Sequence, residues 1–214
     1  MLSKNKFNRI LYKYNKYAIH NLMTYIVIAM VAVFVFDFLQ IVDAMSIFAF
    51  DRSAIMEGEV WRIITFIAIP PNALPIFIIF AFYLYWMIGQ SLEGQWGALK
   101  FNIFYLCGII GTIIAGLITG YSTNMYLNLS LFLAFAILFP DFQLRLFFIL
   151  PIRIKWLGLV HVAFLTFSFV ISSWPVRAAI LASIINVILF CGMILVEMFK
   201  RTHRRAQWKK SIKR

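Results

Sequence analysis

Charged residues are scarce in this sequence. Only 13% of its 214 residues are charged and only eight are acidic, whereas 63% are hydrophobic. A typical soluble domain is about half apolar and about a quarter charged, and a soluble fold of this size would not bury so much apolar surface. The composition therefore excludes an ordinary soluble protein and indicates that much of the surface of this single domain faces lipid.

Motifs for cofactor or metal chemistry are also missing. The two cysteines, Cys107 and Cys191, lie in apolar stretches without metal-binding or redox spacing and are interpreted as core residues. The sequence has no phosphate-binding or dinucleotide-binding glycine motif, and no His-Glu-x-x-His or Cys-x-x-Cys motif. No cofactor and no metal is therefore predicted. No cleavable signal peptide is expected either, because the first apolar run begins only near Asn21.

Six apolar segments are present instead, and about 20 apolar residues are enough to cross a bilayer. The predicted spans are residues 22–42, 76–92, 101–120, 125–139, 156–172 and 176–198. The third is rich in glycine, which lets helices approach closely. Residues 45–74 mix charges with prolines and are predicted to be a long loop with short helices at the outer membrane surface. The predicted fold is an all-α integral membrane bundle of six helices.

The net charge of +12 is concentrated at the two ends of the chain. Basic clusters beside apolar spans indicate the cytoplasmic side and bind anionic lipid. Residues 1–20 are therefore predicted to be a basic cytoplasmic segment, residues 21–199 the membrane domain and residues 200–214 a basic cytoplasmic tail. A composition typical of an AT-rich bacterial genome favours the cytoplasmic membrane. A nucleic-acid partner is not predicted, because no RNA- or DNA-binding motif accompanies the charge.

A motif in the first loop resembles one of a known family. Residues 58–66, Gly-Glu-Val-Trp-Arg-Ile-Ile-Thr-Phe, include Trp61 and Arg62 and resemble the Trp-Arg motif of the rhomboid superfamily. Arg62 is expected to bind backbone carbonyls or a carboxylate and so fasten the loop, while the Trp61 ring lies in the interface.

A second motif, residues 89–97, resembles that family's junction between the second and third helices, through Glu93, Trp96 and Gly97. Glu93 is expected to cap a helix end or to pair with a base at the inner surface. The short fourth span, the long first loop and the six spans fit the same family. The resemblance covers about residues 20–200 and implies a compact bundle around a short fourth helix.

The family's proteases use a Ser–His dyad, because a serine hydroxyl is a weak nucleophile without a base. The serine lies in a Gly-x-Ser-Gly motif that opens the fourth helix, and the histidine lies on the sixth. Here the fourth span opens as Tyr-Leu-Asn-Leu-Ser-Leu from residue 126, and the sixth span carries Asn186 and no histidine. The chain is therefore expected to be rhomboid-like without the dyad, similar to the derlins, which act on membrane-protein clients without cutting them.

Four polar residues in the spans are candidates for function. Ser130 and His161 are the one pair that could form a noncanonical dyad; alternatively, Ser130 bonds to its own helix and His161 is a neutral residue near the inner end of its span. Asn128 and Asn186 either bind a client or join helices by hydrogen bonds. Asp37, near the outer boundary, could pair with Arg62 or Arg177, or reach water.

The primary hypothesis is a non-proteolytic scaffold that binds transmembrane segments of client proteins and acts in membrane-protein quality control. Its short fourth helix and a wet cavity would thin the bilayer and stabilise mismatched clients. One alternative is an intramembrane serine protease with Ser130 as nucleophile. The other is a small-solute or lipid transporter, although the sequence lacks the internal repeats that are common in transporters.

Overall fold

The computed structural model describes residues 15–41, 43–146 and 150–212. Most of them are helical. The helices are α1 (Leu22–Phe38), α2 (Ala44–Phe48), α3 (Arg52–Met56), α4 (Arg62–Thr65), α5 (Pro75–Trp96), α6 (Ala98–Thr119), α7 (Met125–Leu138), α8 (Ile154–Ile171) and α9 (Trp174–Ile212). Short 3-10 helices occur at Asn15–Tyr17 and Phe66–Ala68.

Two small antiparallel ladders connect the ends of these helices. β1 (Phe50–Asp51) pairs with β2 (Tyr121–Ser122), with Phe50 opposite Ser122. β3 (Gln143–Leu146) pairs with β4 (Leu150–Arg153). The first ladder lies at the end of the bundle that contains residues 39–74 and 120–124, called here the loop end. The second lies at the opposite end, called the hairpin end.

Four of the described helices are long and apolar enough to cross a membrane. They are α5, α6, α8 and the part of α9 that ends at Gly192. Their outward faces carry large apolar side chains such as Ile118, Val160 and Leu189, each more than 60% exposed within the protein. Apolar side chains exposed this densely require lipid around them. The protein is therefore a multi-pass, all-α membrane protein, which confirms the predicted fold class without confirming the predicted number of six spans.

Two further apolar helices are shorter. α1 has 17 residues and α7 has 14, so at 1.5 Å per residue they extend about 26 Å and about 21 Å. The hydrocarbon core of a bilayer is about 30 Å thick. Six crossings therefore remain a prediction, and α7 in particular is too short to cross a bilayer of ordinary thickness by itself.

The main core surrounds α7. This helix packs against α5, α6, α8 and α9, and its Leu131 and Phe135 are fully buried. α6 contributes Phe101 and Phe104 to the same core, and the Phe104 ring contacts that of Phe190 edge-to-face with centroids 5.3 Å apart. The shortest of the six apolar helices is thus the central one.

The segment between α1 and α5 docks onto the bundle through two aromatic side chains. Phe50 and Phe66 are fully buried and contact each other edge-to-face, with centroids 6.2 Å apart. Phe50 lies on Gly116 of α6, where an added Cβ would be 2.5 Å from the ring. The short helices predicted in this loop are present as α2, α3 and α4, whereas the burial of these two aromatic rings was not predicted.

Two regions at the hairpin end have structure that was not predicted from the sequence. The β3–β4 hairpin lies between α7 and α8. α9 continues to Ile212 through the predicted tail, because Lys, Arg and Gln are good helix formers. Its 39 residues extend about 58 Å. The basic segment predicted at the N-terminus falls mostly on residues 1–14, which lie outside the described residues.

Candidate functional site: a cavity at the start of α7

The start of α7 is fixed by the residue that precedes it. Asn124 is buried, and its side-chain Nδ2 donates hydrogen bonds to the carbonyls of Ile67 and Ile69, both at 2.8 Å. These bonds connect the first turn of α7 to the chain segment that leads into α5. Pro70 and Pro71 follow Ile69 directly and restrict the backbone of this segment.

A cavity of about 570 Å³ lies between this segment, α1, α5 and α7. It extends from Pro75 at the first turn of α5 to Tyr85, which is about 15 Å along the helix at 1.5 Å per residue. Its apolar walls include Phe34, Phe38 and Ile78. Its volume is within the range of about 300–1,000 Å³ that is typical of small-molecule sites.

Two carboxylates line the mouth of the cavity. Asp37 Oδ1 accepts a hydrogen bond from the Ala44 N–H at 2.8 Å. Asp43 Oδ1 caps α2 by accepting from the N–H groups of Met45 and Ser46 at 3.1 and 3.2 Å. Within the part of the chain that the structure describes, no Lys, Arg or His lines this cavity.

Neither of the bases expected near Asp37 pairs with it. Arg62 binds Glu59, and Arg177 Nη2 donates to the carbonyl of Val170 at 2.9 Å. Of the expectations for Asp37, the pairings with Arg62 and Arg177 are therefore wrong. Its carboxylate holds the chain segment that follows α1 and borders the cavity.

Asn128 lies on the floor of the cavity, one turn into α7. Its side chain is 4% exposed, and its amide lies beside the Tyr85 hydroxyl. No described residue donates a hydrogen bond to Asn128 Oδ1. A buried acceptor without a partner is unfavourable by about 1–3 kcal/mol. Asn128, one of the polar residues that the sequence singles out, therefore lines the cavity and carries a hydrogen-bond acceptor without a donor in the described chain.

Asn186 lies elsewhere. Its Nδ2 donates to the carbonyl of Phe104 at 3.3 Å. This is an interhelical hydrogen bond, the structural one of the two roles expected for Asn186. Its Oδ1 has no partner among the described residues. The side chain borders an apolar groove of about 330 Å³ between α6 and α9, next to Gly111 and Ala182. The two asparagines therefore do not share a site.

Ser130 and His161 do not form a dyad. The Ser130 hydroxyl donates to the Leu127 carbonyl of its own helix at 2.7 Å. The His161 ring packs on Phe132, with centroids 5.3 Å apart, and its Nε2 is buried without a partner in the described chain. No hydrogen bond joins the two side chains in the structure as described. The interpretation that Ser130 bonds to its own helix therefore fits the geometry.

The Trp-Arg pair fastens the loop end. Arg62 is 8% exposed, and its guanidinium binds the Ala49 carbonyl at 3.0 Å and the Glu59 carboxylate. These are the two kinds of partner expected from the sequence. The half-exposed Trp61 donates through Nε1 to the Ile47 carbonyl at 3.3 Å.

Glu93, Trp96 and Gly97, at the junction between α5 and α6, lie at the hairpin end and do not line the cavity. Glu93 Oε1 accepts a hydrogen bond from the N–H of Asn21, the residue that precedes α1, at 2.8 Å. The Trp96 ring packs on Phe104 at 5.3 Å, and Gly97 has φ +82° where α5 ends. Glu93 thus caps a helix start, which is one of its two predicted roles.

The residues that sequence reasoning missed are Tyr85, Asn124 and Asp43. Asp43 carried a visible signal, because an aspartate before a short helix is a common N-cap. Tyr85 and Asn124 carried none, since their importance comes from contacts between distant segments.

No protein-family model matches this chain, and no curated protein matches it either.

Proposed function

We propose that this protein binds transmembrane segments of other membrane proteins without cutting them. The observation that supports this best is the position of α7. This 14-residue apolar helix packs against four longer helices and begins at a cavity with polar groups. It is roughly 9 Å shorter than the hydrocarbon core.

The arrangement supplies a physical reason for binding. Polar groups at membrane depth are tolerated where protein or water surrounds them, and the cavity provides such surroundings. α7 itself is enclosed by four helices, so a client would meet the protein at the cavity and not along α7. A client segment that carries a polar residue is therefore more stable at the cavity than in undisturbed lipid.

Binding without cleavage is supported by Ser130 and His161. A serine needs a hydrogen-bonded base to become a nucleophile, whereas this hydroxyl donates to the Leu127 carbonyl. The proposal includes the rhomboid-like architecture expected from the sequence, with a fastened first loop and a short fourth helix at the centre. It also includes a location in the cytoplasmic membrane, with both termini in the cytoplasm beside anionic lipid, and a role in membrane-protein quality control.

Site-specific photo-crosslinking tests this proposal. A photoreactive amino acid replaces Phe38 or Met125, both exposed and both lining the cavity. Control positions are Val160 and Phe167, which are at least as exposed as Met125 and lie on α8, but do not line the cavity. The variants are reconstituted with a single-span peptide that carries one central Asn. We expect several-fold more crosslinking from the cavity positions, and equal crosslinking from all four would overturn the proposal.

A further inference from the structure

We propose that the cavity at the start of α7 binds a primary ammonium group carried on an apolar chain or ring. This is the same cavity that the proposed function uses, but the inference does not depend on client binding, since a small molecule suffices to occupy the cavity. The evidence is the charge at its mouth, the acceptor on its floor, and its size and walls.

The charge of the cavity differs from that of the whole chain. Lys and Arg outnumber Asp and Glu by 20 to 8 in the sequence, but the charged residues that line the cavity are Asp37 and Asp43. No cationic side chain lines it in the described ranges, and neither carboxylate has an ion-pair partner there. Two carboxylates beside low-dielectric walls attract a cation and concentrate it at the site.

The floor of the cavity adds a requirement for hydrogen-bond donation. Asn128 is 96% buried within the protein, since only 4% of its surface is exposed, and its Oδ1 is an acceptor without a donor among the described residues. A positively charged group with several N–H donors is attracted by the carboxylates at the mouth and can donate to this oxygen on the floor. Charge-assisted hydrogen bonds of this kind are about twice as strong as neutral ones.

The dimensions favour an organic cation over a metal ion. A single ion would leave most of the roughly 570 Å³ unfilled. No group of three or more His, Cys, Asp or Glu suited to a metal occurs in the described part of the chain. Phe34 and Phe38, whose rings are 5.8 Å apart, offer apolar and aromatic surface to the ligand body and can also contact a cation through their faces.

The ammonium group could come from a free amphipathic amine or from a lysine side chain near the end of a bound client segment. Both present the same chemistry to Asp37, Asp43 and Asn128. A first set of measurements therefore tests the chemistry itself, and a second separates the two sources.

The first experiment measures binding of phenethylammonium to the full chain in phosphatidylcholine nanodiscs by titration calorimetry. Controls of similar shape are neutral 2-phenylethanol and anionic 3-phenylpropionate. We expect binding of the cation at least tenfold tighter than that of the alcohol, and no detectable binding of the anion. Equal binding of the cation and the alcohol would overturn the proposal, whatever the behaviour of any variant.

Variants then locate the site. The double variant Asp37→Asn with Asp43→Asn keeps the oxygen atoms that accept from Ala44, Met45 and Ser46, and should bind phenethylammonium at least tenfold more weakly. The matched control is Asp141→Asn at the hairpin end, where the carboxylate is 81% exposed, and its affinity should equal that of the unmodified chain. Equal loss of affinity in both would mean general charge attraction and would overturn the site.

The source is tested by competition against bound phenethylammonium. One single-span peptide carries a lysine near its end, and its partner peptide carries norleucine there. Displacement by the lysine peptide alone supports the site and assigns it to a client side chain. Displacement by neither peptide supports the site and assigns it to a free amine, while equal displacement by both would show that charge is not recognised.

The two proposals can fail separately. Binding of phenethylammonium without client crosslinking would reject the proposed function and leave this site standing.

Discussion

Asn124 and Asn128 lie one turn apart at the start of α7, and they illustrate how single residues divide between structure and function. Asn124 donates two hydrogen bonds to backbone carbonyls of another segment. Asn128 is just as buried but leaves an acceptor without a donor in the described chain. Both are asparagines in or beside an apolar segment, so only the structure separates the residue that fixes the fold from the residue available to a ligand.

Replacing Asn128 by Leu should change stability little. The change removes an unpaired buried oxygen but also the amide beside the Tyr85 hydroxyl, and these two effects oppose each other. We expect the free energy of unfolding in mixed micelles to change by less than about 1 kcal/mol, while phenethylammonium binding is lost. Ser130→Ala is the control, with a loss of about 0.5–1 kcal/mol, because it removes one hydrogen bond within a helix. A loss above about 1 kcal/mol in Asn128→Leu would mean that its amide is structurally required.

Gly116→Ala tests the contact between the loop end and α6. The added methyl group would be 2.5 Å from Phe50 Cδ1 and 3.1 Å from Ser122 Cβ, and overpacking of this kind costs about 1–3 kcal/mol. Gly94→Ala is the matched control, because nothing lies within 4 Å of its added Cβ and alanine favours a helix by about 0.5–1 kcal/mol. The thermal midpoints should therefore move in opposite directions, and a shared direction would contradict this packing.

At the scale of elements, the segment from Asp43 to Ala73 is a docked unit held by a few identified contacts. Phe50 and Phe66 bury its apolar face, β1 pairs with β2, and Arg62 binds Ala49 and Glu59. Because these contacts are few, the segment should open locally before the bundle unfolds. Its docking forms one wall of the cavity, so its stability and the cavity are coupled.

Arg62→Met should loosen this segment. Hydrogen bonds to charged groups contribute about 1.5–3 kcal/mol, so cleavage within residues 43–73 by a soluble protease should become about tenfold faster or more. Arg52→Met is the control, because the Arg52 side chain donates an exposed hydrogen bond to the carbonyl of Leu117 at 3.3 Å. The cleavage rate of this variant should change less than about twofold. Equal acceleration in both variants would show that Arg62 has no special role.

The sequence predicts the elements unevenly, for physical reasons. The starts of the last five spans lie within about three residues of the helices observed, because long apolar runs are a local signal. The burial of Phe50 could not be predicted, since its partner surface at Gly116 is 66 residues away. The cavity was missed in the same way: Asp37, Tyr85 and Asn128 come together only through the packing of three helices.

At the scale of the whole molecule, apolar side chains face outward and several polar side chains are enclosed, as in a protein whose solvent is lipid. The orientation predicted from the basic residues places the hairpin end in the cytoplasm and the loop end outside. Six crossings would also place both termini on the cytoplasmic side, which the four long helices alone do not determine.

Cysteine labelling in intact cells checks this orientation. With Cys107 and Cys191 replaced by serine, single cysteines are introduced at Ser46 in the loop end and at Gln143 in the hairpin end, both exposed. A membrane-impermeant maleimide should label position 46 in intact cells and position 143 only after permeabilisation. The reverse pattern would contradict the positive-inside assignment.

The most direct test of client binding without cleavage is to follow association and cleavage in one sample. The protein is co-reconstituted with a labelled single-span segment that carries a central Asn; energy transfer reports association and mass spectrometry reports its length. Binding of an intact segment is predicted, and it should persist in Ser130→Ala. The control is Ser183→Ala, because the Ser183 hydroxyl also donates to its own helix. New fragments would contradict the account and establish a protease if they disappear in Ser130→Ala and His161→Ala but persist in Ser183→Ala.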